Sequence, residues 1–195
     1  MKRRIGFLGG TFDPIHSGHL ILAEQLLEKF QLEKVIFIPA ATPPHKENQA
    51  ISYARHRLEM TKMAIEDNPL FEVSDIELKR KGKSYTVDTI EELKKKYPDA
   101  DLFLLAGSDV LTELDTWKDP DRIFQETKVV IGIRPGYDKI DLDSRFFAKS
   151  ITVEMSGLHV SSTQIRHRIK EGRSIKYLVP SKVEEYIKAK GLYKE

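Results

Sequence analysis

Residues 5 to 22, Ile-Gly-Phe-Leu-Gly-Gly-Thr-Phe-Asp-Pro-Ile-His-Ser-Gly-His-Leu-Ile-Leu, leave this chain few choices of fold. An apolar strand carrying Ile5, Phe7 and Leu8 runs into Gly9-Gly10, crosses a tight turn at Phe12-Asp13-Pro14, and delivers His16 and His19 to the mouth of a helix. Glycines let main chain approach a ligand closely, and the N–H groups at a helix start attract anions. Two imidazoles three apart in a first turn can face the same ligand and donate to its phosphate oxygens. A solitary histidine at a helix start is usually a cap or a solvated side chain. Here strand, glycine pair, proline turn, histidine pair and amphipathic helix agree on one purpose, an anion site. The run is neither a Gly-x-x-x-x-Gly-Lys loop nor a Gly-x-Gly-x-x-Gly fingerprint.

The pattern downstream extends this start into alternating strands and helices. Ala23, Leu26, Leu27 and Phe30 form one helical stripe, and Val35-Ile36-Phe37-Ile38-Pro39 reads as a covered strand of a parallel sheet. A Pro-stiffened loop with Pro43-Pro44-His45-Lys46 follows at the carboxyl edge, where Lys46 is either a phosphate contact or a solvated side chain. The spacing predicts a helix over about Ser52 to Asp67 with Leu58, Thr61 and Ile65 inward and most of Arg55, His56, Arg57 and Lys62 exposed. Phe71, Val73, Ile76 and Leu78 predict a strand with a phase slip near Ser74-Asp75, and residues 79–83 a solvated basic turn.

Beyond Ser84-Tyr85-Thr86, a helix bearing Val87, Ile90 and Leu93 leads to the central strand Leu102–Ala106. Gly107-Ser108-Asp109 follows at once, placing Asp109 to accept from ribose hydroxyls or to cap a helix from Val110. Trp117, the only tryptophan, lies in polar company, which suits either stacking on a flat ligand or the edge of a core. Asp119-Pro120 predicts a capped short helix, Val129–Ile133 a buried strand, residues 137–150 irregular or weakly helical structure, and Ile151–Val153 a last strand. In Val160-Ser161-Ser162-Thr163-Gln164-Ile165-Arg166, three hydroxyls and a cation stand at a helix entrance. Ser161 could equally be an ordinary cap and Arg166 an exposed charge. Ser181-Lys182-Val183-Glu184 reads as a capping box opening a terminal helix.

A chain of 195 residues suits one domain, here 1–195, with a helical C-terminal part from about 161. The expected class is α/β, a Rossmann-like open parallel sheet with helices on both faces. The net charge of +2 gives no global reason to expect a nucleic-acid partner. The absence of cysteine excludes disulfides, thiolate metal sites and thiol nucleophiles. With no apolar run approaching the ~20 residues of a membrane span and no signal-peptide pattern, no membrane partner is expected and the cytoplasm is the expected compartment.

Taken together, the first motif and Ser161–Arg166 resemble the nucleotidyltransferase superfamily, which shares a His-x-Gly-His motif and a late Ser-Ser-Thr-x-Ile-Arg motif. Pro43–Lys46, Ser84-Tyr85-Thr86, Gly107-Ser108-Asp109, Thr116-Trp117 and Arg134-Pro135-Gly136 are similar to the bacterial nicotinate-nucleotide adenylyltransferases over essentially the whole chain. That resemblance implies a nucleotidyltransferase-type fold, ATP and nicotinate mononucleotide as substrates, and Mg²⁺ carried with the ATP rather than by a protein metal site. It implies His16, His19 and Arg166 as catalytic residues, with Gly9, Gly10, Thr11, Phe12, Gly107, Asp109, Ser161, Ser162 and Thr163 lining the ATP site. Lys46, Tyr85, Thr86, Trp117, Lys118 and Arg134 are implied for the mononucleotide, and a homodimer is compatible. The rivals are a superfamily member acting on nicotinamide mononucleotide or a pantetheine phosphate, a nucleotide-binding regulator without turnover, and a fragment of a class I tRNA synthetase. Trp117 disfavours the pantetheine reading, the two histidines the regulator, and the short chain the synthetase. The resemblance also implies that the two anion-binding helix entrances clasp one triphosphate between them.

Overall fold

Six parallel strands in the order β3-β2-β1-β4-β5-β6 form the sheet that organises the computed structural model. The structure describes residues 2–43, 51–80, 82–133, 145–156 and 159–194. The strands are β1 (Arg3–Gly10), β2 (Lys34–Pro39), β3 (Phe71–Val73), β4 (Ala100–Gly107), β5 (Lys128–Ile133) and β6 (Ile151–Glu154). The helices are α1 (Ser17–Phe30), α2 (Ala54–Ile65), α3 (Ile76–Lys79), α4 (Thr86–Lys96), α5 (Pro120–Glu126), α6 (Arg145–Lys149), α7 (Ser162–Lys170) and α8 (Ser181–Lys190). Two 3₁₀ turns, Ser108–Thr112 and Leu114–Thr116, follow β4.

Side chains alternate between the two faces, as period-two strands require. Val35, Phe37, Phe103, Leu105 and Val130 join α1, α2, α7 and α8 in one core. Their strand neighbours Ile36, Ile38, Leu102, Leu104, Val129 and Ile131 join α4, α5 and α6 in the other. Strand order reverses between β1 and β4, and in open α/β sheets that crevice is where ligands bind. Gly9-Gly10 and Gly107-Ser108-Asp109 are the two carboxyl ends that border it.

Several local expectations are corrected. Ile76 and Leu78 belong to α3, a single helical turn, and not to a bulged strand. Helix α2 is shorter than expected, and its buried positions are Arg57, Met60, Thr61, Ala64 and Ile65, so Arg57 faces inward while Leu58 is half-buried. Arg80 is no solvated loop residue, since it bonds Glu92 at 2.6 Å and Thr89 at 3.0 Å. Asp119 precedes Pro120 in a left-handed conformation and its side chain makes no cap. Asp109 lies inside a 3₁₀ turn with Gly107 at the cap position. Pro180 occupies the N-cap of α8, which moves Ser181 to the first helical position and removes the capping box. Within 137–150, residues 145–149 form a short helix, as the weakly helical reading allowed, and 137–144 lie outside the described residues. No helix among the described residues is long and apolar enough to cross a membrane.

Candidate active site

The turn between β1 and α1 is built around Phe12. Its φ of 50° lies in the left-handed region, which for an L-residue of this bulk costs about 1–2 kcal/mol. The ring is 2% exposed, within 6.1 Å of Phe37 and edge-on to His19 at 5.0 Å, so burial holds the strained backbone in place. Gly10 is required beneath it, because a Cβ there would meet the Phe12 ring at 2.8 Å. A Cβ on Gly9 would meet nothing within 4 Å, so the main chain at Gly9 borders open space.

His16 holds the N-cap position of α1, and His19 lies in its first turn. The two imidazoles stack at 3.7 Å, and the His16 backbone N–H donates to His19 Nδ1 at 3.2 Å. His16 is 3% exposed and His19 half-buried, so His19 is the more accessible of the pair. Gly18 keeps the stack together: a Cβ there would meet Val160 at 3.0 Å and His16 Nδ1 at 3.1 Å.

Val160 belongs to the second motif, and the two corners are in direct contact. Ser162 Oγ donates to the Pro14 carbonyl at 2.9 Å, and Arg166 Nη1 donates to the Asp13 carbonyl at 2.8 Å. Ser161 caps α7, its hydroxyl accepting from the Gln164 N–H at 3.2 Å. Thr163 is exposed and its hydroxyl accepts from Arg166 Nη2 at 3.3 Å. Hydroxyls, a guanidinium, two imidazoles and the start of two helices therefore converge within one hydrogen-bonded unit. Such a donor-rich corner suits polyanionic ligands.

The chain is similar to known proteins over nearly its whole length. Residues 7–168 match the cytidylyltransferase-like family. A Desulfitobacterium hafniense protein described as "Probable nicotinate-nucleotide adenylyltransferase" is 43% identical over 98% of this chain and 96% of its own length. A Clostridium tetani protein of the same description is 43% identical over the full length of both chains. The chain belongs to the nicotinate-nucleotide adenylyltransferase family. The fold is also that of the Plasmodium falciparum nicotinic acid mononucleotide adenylyltransferase solved with NaAD, with a TM-score of 0.82, 19% identity, and coverage of 98% of this chain and 97% of that one.

In this chain a second set of motif residues gathers at the start of α4. Tyr85 is its N-cap residue and Thr86 its first helical residue. Lys118 bonds Asp88 in the first turn of α4 at 3.0 Å and lies 4.8 Å from the centre of the Tyr85 ring. Tyr85 and Trp117 are partly buried against the same core. Gly107 and Asp109 stand at the end of β4, Asp109 being exposed. Lys46 and Arg134 lie outside the described residues. A surface groove of about 370 Å³ between α4 and α5, lined by Val87, Ile90, Lys94 and Arg122, contains none of the motif residues.

The residues that sequence reasoning missed are those that brace the corner. Asp13 is 3% exposed; its carboxylate accepts from the Tyr193 hydroxyl at 2.7 Å and from the Ser52 N–H at 3.2 Å. Burial first, then the Asp13 charge, push the Tyr193 phenol far above its usual value. Burial pulls the Arg57 guanidinium below its usual value, and the Asp13 charge opposes that pull. A signal for Arg57 did exist. Met60, Thr61, Ala64 and Ile65 form a helical stripe, and one turn back along it lies residue 57.

Proposed function

We propose that the chain transfers the AMP moiety of ATP to nicotinate mononucleotide, giving deamido-NAD and pyrophosphate. The observation that carries this reading is the joining of the two corners at the point where the sheet reverses, through Ser162 on Pro14 and Arg166 on Asp13. The full-length relatives at 43% identity bear the matching description.

The chemistry asks little of a base. A phosphate monoester carries about −1.5 to −2 charge near neutrality, so the acceptor is already a nucleophile. One of its oxygens attacks the α-phosphorus of ATP in line, the bond from that phosphorus to the bridging oxygen breaks, and pyrophosphate leaves with the electron pair. The difficulty is bringing two polyanions together, so the protein contributes positioning and charge stabilisation. His16 and His19, with the Thr11 and Phe12 amides, take the α- and β-phosphate oxygens. Gly9 and Gly10 allow the close approach. Ser161, Ser162, Thr163 and Arg166 hold the β- and γ-phosphates, and Gly107 and Asp109 adjoin the adenosine ribose. Lys46 and Arg134 are assigned to the mononucleotide.

Mg²⁺ fits as a companion of the triphosphate. Among the described residues no group of three histidine or acidic side chains could cage a metal, and the buried Asp13 carboxylate is taken by Tyr193 and Ser52. Bound to phosphate oxygens and water, the ion would neutralise part of the charge on the triphosphate.

For substrate choice, the pyridine ring stacks on Trp117 and its carboxylate meets backbone amides near Thr86 and Lys118, beside Tyr85. A carboxylate accepts from two N–H groups, whereas an amide would turn its NH₂ toward one of them. Such a mismatch disfavours nicotinamide mononucleotide. The deciding assay gives the purified protein Mg-ATP with each acceptor. Pyrophosphate should appear with nicotinate mononucleotide, far less with the amide form, and none with pantetheine phosphate; equal rates with all three, or none, would overturn the reading.

A further inference from the structure

Arg57 is 1% exposed, and its hydrogen bonds in α2 run to backbone carbonyls. Nη1 donates to Thr11 at 2.8 Å and to Ala40 at 2.6 Å, Nη2 to Ala41 at 3.2 Å, and Nε to Ser52 at 3.0 Å. One guanidinium thus gathers three stretches of main chain: the turn after β1, the exit of β2 and the approach to α2. Burial weakens its positive charge, and the charge of Asp13 opposes that effect.

The consequence lies in the geometry of the peptide bond. In a trans peptide the carbonyl of one residue and the N–H of the next point to opposite sides of a rigid plane. Holding the Thr11 carbonyl on Arg57 therefore directs the Phe12 N–H the other way. A turn that binds phosphate has to present N–H groups and withhold carbonyls, whose partial negative charge would repel the ligand. The same logic applies beyond β2, where the Ala40 carbonyl goes to Arg57 and the Ala41 N–H, across the same plane, donates to Ser84 Oγ at 2.9 Å. Ser84 immediately precedes Tyr85 and Thr86, so this bond carries the arrangement to the start of α4.

We propose that Arg57 is a positioning residue for the reaction, which draws backbone carbonyls inward so that the turn after β1 shows its N–H groups to the triphosphate; the proposal rests on the adenylyl-transfer reading above. Arg57 acts through main chain and touches neither substrate. Lysine is a poor replacement despite its charge, because a single ammonium on a flexible stem cannot serve carbonyls arranged for a planar fork.

The test has three measurements, of which the first two compare Arg57→Lys with the wild type. Circular dichroism and melting establish the temperature at which the variant is fully folded. At that temperature kcat should fall about 10–100-fold while both KM values stay within about threefold, since displaced N–H groups cost most when charge builds in the transition state. A kcat within twofold of wild type, or a loss confined to melting temperature, would overturn the proposal. The third measurement needs no variant: in the wild-type protein, titration with Mg²⁺ and a non-hydrolysable ATP analogue should shift the Phe12 amide resonance. If that resonance stays put while the analogue binds, the proposal fails, even where Arg57→Lys does not fold. Failure of the wild type to release pyrophosphate would instead overturn the adenylyl-transfer reading.

Discussion

His19 is stacked on His16 at 3.7 Å and edge-on to Phe12 at 5.0 Å, so its ring is aimed by packing on two sides. An aimed donor is worth far more to a transition state than a mobile one, because its reorganisation is complete before reaction. His19→Ala should therefore lower kcat by about 10²–10³-fold with little change in melting temperature. Steady-state kinetics on the folded variant checks this, and an unchanged kcat removes His19 from the mechanism. Trp117 poses a narrower question, since it is half-buried at the end of a 3₁₀ turn and packs beside Tyr85 against the same core. If one face stacks on the pyridine, Trp117→Ala should raise the mononucleotide KM about tenfold and the ATP KM much less. Equal effects on both constants would contradict the stacking.

The short helix α3 and the longer α4 are joined by a buried polar cluster. Glu77 is 6% exposed, and its Oε1 accepts from the Thr89 hydroxyl at 2.6 Å, which in turn accepts from Arg80. Burial raises the Glu77 pKa above its usual 4.5, against the pull of the Thr89 and Ser84 hydrogen bonds. The folded protein thus holds this proton more tightly than the unfolded chain does. Its contribution to stability is fully present below the unfolded pKa and is lost as pH rises through the folded one. Glu77→Gln stays neutral, so its unfolding free energy should gain on that of the wild type as pH rises from about 4 to about 7. Urea melts across that window check the sign, and parallel curves would show that Glu77 is not the titrating group. The cluster also explains a sequence misreading. Ile76 and Leu78 alternate as strand residues do, and a four-residue helix is too short to show a 3.6 period, so only the burial of Glu77 between them distinguishes the two. Where elements were long, pattern sufficed: the α1 stripe and the apolar runs of β2, β4 and β5 all match the structure. Polar bracing was hidden because Arg57 and Asp13 are stabilised by partners 30 or more residues away as well as by local ones, as with Arg57 on Thr11 and Asp13 on Tyr193. Pairings at that distance leave no local periodicity.

Across the molecule, the strand order turns one end of the sheet into a seam between two halves, β1 to β3 and β4 to β6. The α7 corner then returns to the β1 corner from roughly 150 residues away, through Ser162 and Arg166. Past α8, Leu192 and Tyr193 pack on the same core, and the Tyr193 hydroxyl reaches back 180 positions to Asp13. The last residues are thereby tied to the residue whose carbonyl Arg166 holds. Loss of that hydroxyl leaves a buried acceptor short of a donor, at a cost of about 1–3 kcal/mol, whereas loss of residues 192–195 also removes the packing. Tyr193→Phe should therefore keep its fold, melt a few degrees lower and lose several-fold in kcat, as the Asp13-Pro14 turn is held less firmly. The chain truncated after Gly191 should lose more in both measures. If the truncated chain melts lower yet turns over like the wild type below its transition, the C-terminal hook serves stability alone and Asp13 keeps the turn in place without it.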